Sequence, residues 1–143
     1  RQVREVTPCI SPLPGGTVSS EYGYRNSPFT GKREFHSGVD IAHDSGTPIY
    51  VTAAGTVVHA GSQGVLGKTV TIDHGFGIIT RYAHMSRIAV TCGQQVQQGE
   101  IVGNVGSTGR STGPHLHYEV RVNDIPVNAS KFIPDYLANN DPS

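Results

Sequence analysis

Short runs in which apolar and polar residues alternate, cut off by glycine, set the pattern of this chain. Lys68-Thr69-Val70-Thr71-Ile72-Asp73-His74 keeps a period of two and stops at Gly75. After a Gly75-Phe76-Gly77 turn, Ile78-Ile79-Thr80-Arg81-Tyr82-Ala83-His84 begins a second such run. Thr47–Ala54 leads into Gly55–Gly61, and two further runs lie around Glu100–Val105 and His115–Val122. Alternation sends successive side chains to opposite faces of a strand. Strands this short, at this spacing, predict an all-β fold of antiparallel sheets joined by hairpins. No stretch holds the 3.6 period of a long helix, and Pro134 limits Ala129–Leu137 to a helical turn at most. Residues 1–16 carry Pro8, Pro12, Pro14 and Gly15-Gly16 and read as a lead-in or linker segment. The folded domain is then expected over 17–137, with 138–143 as a C-terminal tail.

Composition narrows the class. The 143 residues suit one domain with a modest core. Eighteen glycines and only 15% charged residues disfavour a helical bundle or coiled coil, and 36% hydrophobic residues spread along the chain disfavour disorder. Eleven basic and eleven acidic side chains cancel, so no charge surplus points to nucleic acid or to an anionic membrane surface. No apolar run approaches the roughly 20 residues of a membrane span. The opening Arg1-Gln2-Val3-Arg4-Glu5 lacks the apolar stretch of a signal peptide, which suggests a mature form or a piece of a longer chain. Cys9 and Cys92 are too far apart for a CxxC knuckle. One bridge in an oxidising compartment and two separate thiols are both open readings.

Seven histidines carry the candidate chemistry. Surface or capping roles suffice for His43 and His59, and His74, just before Gly75, reads as a turn residue. The other four belong to a pattern. His36-Ser37-Gly38-Val39-Asp40 sets an imidazole and a carboxylate four residues apart, and His115-Leu116-His117 sets two imidazoles at i and i+2. On a strand that spacing is about 6.6 Å along one face. It suits one ring on a metal and the other on a group beside it. Two histidines and one carboxylate are the ligand set of an open catalytic zinc site. A single carboxylate leaves such a site net positive, which lowers the pKa of water there. A closed structural site would favour thiolates, and the cysteines lie far from the histidines in sequence.

HxH and HxxxD are weak signals alone; their flanks and order carry more. Gly23-Tyr24-Arg25, His36-Ser37-Gly38-Val39-Asp40-Ile41-Ala42, Gly46-Thr47-Pro48-Ile49, Asp73-His74-Gly75-Phe76-Gly77, Tyr82-Ala83-His84-Met85 and Gly106–Val120 follow one another in order. This series resembles the lysostaphin-type (LytM-like) zinc endopeptidases from about Gly23 to about Val122. The resemblance implies antiparallel β-sheets forming a narrow groove with a zinc site. It implies one Zn²⁺ per chain on His36, Asp40 and His117, and catalytic roles for His84 and His115, with the division of acid and base between them open. Met85 stands where leucine is commoner, a volume-conserving change. The implied substrate is a peptide of bacterial peptidoglycan, cut as a cross-link or stem, and the implied location is extracytoplasmic, in the periplasm or cell envelope, with other domains of a longer parent protein as partners. The alternative is a non-catalytic domain of this fold that binds and activates another wall hydrolase; members in that role typically lack a ligand, and none is lacking here. Thr80, Tyr82 and His84 alternate onto one strand face, so Tyr82 is a groove candidate beside its plainer reading as a packing aromatic. The loop Gly106–Gly113 resembles a phosphate cradle in composition but lacks a P-loop ending, and is expected to shape the approach to His115. Val90–Gly103 is similar to the hairpin of biotinyl and lipoyl carriers, yet none of Lys32, Lys68 and Lys131 sits in the required turn.

Overall fold

The computed structural model of the protein describes residues 10–27, 29–109, 111 and 113–132. In chain order the strands are β1 (Thr17–Ser20), β2 (Gly23–Asn26), β3 (Arg33–His36), β4 (Val39–Ala42), β5 (Pro48–Tyr50) and β6 (Gly55–Ser62). Then come β7 (Lys68–Gly75), β8 (Ile78–Ile88), β9 (Gln95–Val96), β10 (Ile101–Val105), β11 (His115–Val122) and β12 (Ile125–Val127). Two short 3₁₀ turns, Gly64–Leu66 and Ala129–Phe132, are the helical content among the described residues. The all-β antiparallel expectation holds, and the helical turn expected after Ala129 is the second of these. The run expected over Thr47–Ala54 is extended only at β5, and Val51–Ala54 continues as buried loop. No helix among the described residues is long and apolar enough to cross a membrane.

One large sheet runs in the order β1-β4-β11-β8-β7-β6-β9, with β10 against β5 and β8 and β12 against β11; β2 and β3 form a separate hairpin. The core collects on one face. Val39 and Ile41 of β4 and Leu116, Tyr118 and Val120 of β11 are buried there with Ile49, Val70, Ile72, Tyr82 and Val102. Leu13, within the segment expected as a lead-in, is buried in the same cluster, and Tyr50 N–H donates to the Pro12 carbonyl at 2.8 Å.

A polar chain crosses this core. His74 hydrogen-bonds the Ala54 carbonyl through Nδ1 (2.9 Å) and the Thr80 hydroxyl through Nε2 (2.7 Å). Thr80 Oγ1 is also within hydrogen-bond distance of the Tyr82 hydroxyl, at 3.1 Å. Thr52 Oγ1 joins the Tyr82 and Tyr118 hydroxyls at 3.1 and 2.9 Å. Tyr82 therefore faces the core and not the groove; its reading as a packing aromatic is the one the structure supports. His74 is likewise buried rather than a turn residue.

The alternation of β8 breaks at His84. Lys68 pairs with Met85 and Val70 with Tyr82, so two steps on β7 answer three on β8. This is a β-bulge, a device that re-aims a side chain. His84 takes φ +61°, a left-handed backbone costing a non-glycine residue roughly 1–2 kcal/mol. Tyr82 and Met85 both stay in the core, while His84 turns to the opposite face beside His115 and His117.

Two outcomes follow from this frame. His84→Gly should be more stable than His84→Ala by about 1 kcal/mol in urea unfolding, because only glycine adopts this φ freely. At a regular strand position alanine would win, and that order would refute the strain. Burial pushes the His74 imidazole below its usual 6.5. Folded His74 is thus neutral while the unfolded chain takes up a proton first, so its contribution is full above 6.5 and is lost as pH falls through the folded value. The unfolding free-energy gap between the parent and His74→Gln should shrink on acidification below 6.5; a gap constant with pH would contradict it.

Candidate metal centre

The site is built first by register. On β4 and β11, Asp40 stands directly opposite His117, and His115 opposite Ala42. Facing residues of antiparallel neighbours point the same way with Cβ atoms about 4.5–5.5 Å apart. Core residues occupy the alternate positions of both strands, so Asp40, His115, His117 and Glu119 are left on the other face. His36, at the end of β3, comes over this face because Ser37-Gly38 makes a tight link into β4. Gly38 is required for that link: a Cβ there would stand 2.4 Å from the Tyr118 carbonyl oxygen and 2.8 Å from Glu119 Cγ.

Three ligand atoms converge. Asp40 Oδ1 lies 2.9 Å from His117 Nδ1 and 3.2 Å from His36 Nε2, and the two ring nitrogens are 3.3 Å apart. Arms of about 2.0–2.1 Å place neighbouring donors of a tetrahedral ion about 3.3 Å apart, so the three atoms match one face of such a site. His36, Asp40 and His117 are the group among the described residues whose atoms can hold a metal ion in this way. The residues fit a zinc-type ion in kind and in spacing.

Each of the four imidazoles is held by one nitrogen and leaves the other. His36 Nδ1–H donates to the Glu21 carbonyl (2.9 Å), leaving the Nε2 lone pair at the cluster. His117 Nε2–H donates to Glu119 Oε2 (2.7 Å), leaving Nδ1. His84 Nδ1–H donates to the Thr108 carbonyl (2.7 Å) and His115 Nδ1–H to the Gly113 carbonyl (2.8 Å). Since carbonyls only accept, both keep Nε2 as an acceptor. Their rings lie 4.8 Å apart, and His115 Nε2 is 3.8 Å from Asp40 Oδ1. The loop Gly106–Gly113 thus orients both histidines through backbone carbonyls; Arg110 and Thr112 within it lie outside the described residues.

The charges show a site that attracts a cation. Burial by itself would favour the neutral form of Asp40, but hydrogen bonds from His117 and His36 outweigh it and hold the carboxyl well below the usual range. Burial likewise disfavours protonated His117, yet bonds to Asp40 and Glu119 push it up to about 9. The two carboxylates thus favour positive charge at the ring between them. Glu119 is kept at about 2 despite burial, by His117, Arg81 and Ser37. His84 is shifted the other way, below 6.5, chiefly by burial, which outweighs the Thr108 bond and the nearby Asp40 charge.

A cleft of about 580 Å³ opens over the cluster. Ser19, Ser20, Arg25 and Phe29 contribute to its lining along with Val65, Leu66 and Ser111. The structure therefore gathers all five sequence-predicted residues, His36, Asp40, His84, His115 and His117, at one cleft. It leaves His43 and His59 elsewhere. Cys92 is exposed, and its candidate partner Cys9 lies outside the described residues. Glu119 was not singled out from sequence, although extending the i, i+2 spacing of His115 and His117 by one step reaches it.

Residues 34–129 match the family described as Peptidase family M23. The chain is similar to DD-carboxypeptidase/endopeptidase Mpg of Neisseria meningitidis, 46% identical over 119 residues that make up 83% of this chain and 27% of that protein. The chain thus spans about a quarter of the length of such curated relatives. Among solved structures, it superposes on a zinc containing peptidase from Vibrio cholerae with a TM-score of 0.77 and 35% identity, over 87% of this chain and 38% of that one. It superposes on the catalytic domain of the antimicrobial peptidase lysostaphin from Staphylococcus simulans with a TM-score of 0.75 and 31% identity, over 82% and 91% of the two chains. Ordered motifs, a shared strand frame and a match running through both halves of the metal-capable cluster make this chain a member of peptidase family M23.

Proposed function

We propose that this chain is a zinc-dependent endopeptidase domain, spanning residues 17–137, that hydrolyses cross-link or stem peptides of bacterial peptidoglycan outside the cytoplasm. The observation that carries it is the convergence of His36 Nε2, Asp40 Oδ1 and His117 Nδ1 below a cleft onto which His84 and His115 also open. The substrate class is supported by a relative in Vibrio cholerae, 44% identical over 115 residues, that is named a peptidoglycan DD-endopeptidase. His36, Asp40 and His117 would hold the ion. Bound there, zinc supplies a Lewis acid that polarises a scissile carbonyl and makes water a nucleophile near neutral pH.

The remaining steps belong to the protein. His84 and His115, each fixed through Nδ1–H, present Nε2 to accept the proton of the attacking water. The low basicity of His84 keeps it unprotonated and ready at neutral pH. One of the pair, once protonated, returns its proton to the leaving amine nitrogen.

Zinc-loaded protein incubated with purified peptidoglycan should release peptide fragments with new termini, identified by mass spectrometry. Protein that carries one zinc per chain and cuts nothing would refute the enzyme and favour a binding domain. The roles of the histidines separate in a second measurement. His117→Ala should be inactive and metal-poor, since two donors rarely retain zinc. His115→Ala and His84→Ala should keep their metal and lose roughly 10²–10⁴-fold in kcat. His43→Ala, half-buried but outside the cleft, should match the parent in metal content and kcat. Metal loss in His115→Ala with retention in His117→Ala would invert the ligand assignment.

A further inference from the structure

We propose that Glu119 is a positioning residue that fixes the metal-facing edge of His117 and ties together the two chain segments that carry the metal ligands. This role rests on the metal reading given above.

Glu119 is 2% exposed, and its two oxygens receive four hydrogen bonds. Oε2 accepts from His117 Nε2–H at 2.7 Å and from Ser37 Oγ at 2.9 Å. Oε1 accepts from Arg121 at 2.9 Å and from Arg81 at 3.3 Å. An ionised carboxylate only accepts, so its bond to Nε2 forces the proton of neutral His117 onto that nitrogen and frees Nδ1 for a cation. A carboxylate behind a ligating imidazole also makes the ring a stronger donor and fixes its plane.

Ser37 extends the role beyond one ring. It lies between His36 and Asp40, so a single oxygen of Glu119 grips both the β3–β4 link and the β11 ligand. The missing side chain at Gly38 permits the approach, since a Cβ there would stand 2.8 Å from Glu119 Cγ. Arg81 on β8 and Arg121 on β11 complete the arrangement. Their charges offset that of Glu119, so a divalent ion on Asp40 keeps the net positive charge that favours ionised water. A carboxylate held only to brace the strands would have no reason to meet the far nitrogen of a metal-directed histidine.

The test measures zinc and cobalt binding to the whole chain by competition with a chelator, together with thermal melting of the metal-free protein. Glu119→Gln keeps the shape but leaves one accepting oxygen. It should weaken zinc binding about 10–100-fold, the usual worth of such a partner. The visible bands of bound Co²⁺ should shift with the altered setting of His117. Ser37→Ala should weaken zinc binding less, and the double variant should lose less than the sum of the two, because both act through one oxygen. A folded Glu119→Gln that binds zinc within twofold of the parent with an unchanged cobalt spectrum would overturn the proposal, whatever its melting temperature. Should Glu119→Gln fail to fold, parent-like zinc affinity in Ser37→Ala would overturn it. A parent chain that binds no zinc would remove the metal reading itself, which is a different result.

Discussion

The candidate metal centre depends on one constraint: the antiparallel register that sets Asp40 opposite His117. That register is not held by the two side chains. It is held by the face behind them, where Val39, Ile41, Leu116, Tyr118 and Val120 enter the core. A slip of one residue would bring those apolar groups out and turn the polar ones in. Each buried Val, Leu or Ile is worth about 1.5–3 kcal/mol, so the hydrophobic face enforces the geometry of the polar one. Three lone pairs held within hydrogen-bond distance of one another repel unless a proton or a metal sits among them, and core packing supplies the force that keeps them there.

The other constraint is orientation. An imidazole that must bind a metal or take a proton needs one nitrogen free and the other engaged, and all four histidines obey this. Two different classes of acceptor hold them. The histidines proposed as bases are held by carbonyls of a single loop, Thr108 and Gly113, and the proposed ligands by the Glu21 carbonyl and the Glu119 carboxylate. The bases thus have no formal charge at their back, whereas His117 has carboxylates on both sides. Those carboxylates raise the proton affinity of His117, while burial lowers that of His84, whose ring is 6.1 Å away. The bulge at His84 adds conformational strain to this setting, and the bonds of Thr108 to His84, Met85 and Lys68 hold it in place.

Much of this was legible along the chain. Alternation in Lys68–His74 and His115–Val122 marked strands, and the motif order marked the five residues that the fold gathers at one cleft. What stayed hidden had a physical cause. Tyr82 and His84 look equivalent by alternation, and only the extra residue opposite β7 sends one to the core and the other to the cleft. Glu119 was within reach of the same spacing rule, but an acidic residue on a strand is ordinary until four donors are seen to surround it.

By itself the sequence determined the residue types, the partition of β11 into an apolar and a polar face, and the donor set that a metal requires. Those properties reside in neighbouring residues, where spacing and side-chain chemistry suffice. The tertiary structure decided which nitrogen of each histidine is free, where His84 points and how Ser37 and Glu119 meet. Asp40 and His117 are 77 residues apart in the chain, and His36 and His117 are 81. Contacts at that separation are set by strand pairing and core packing, which no local pattern encodes.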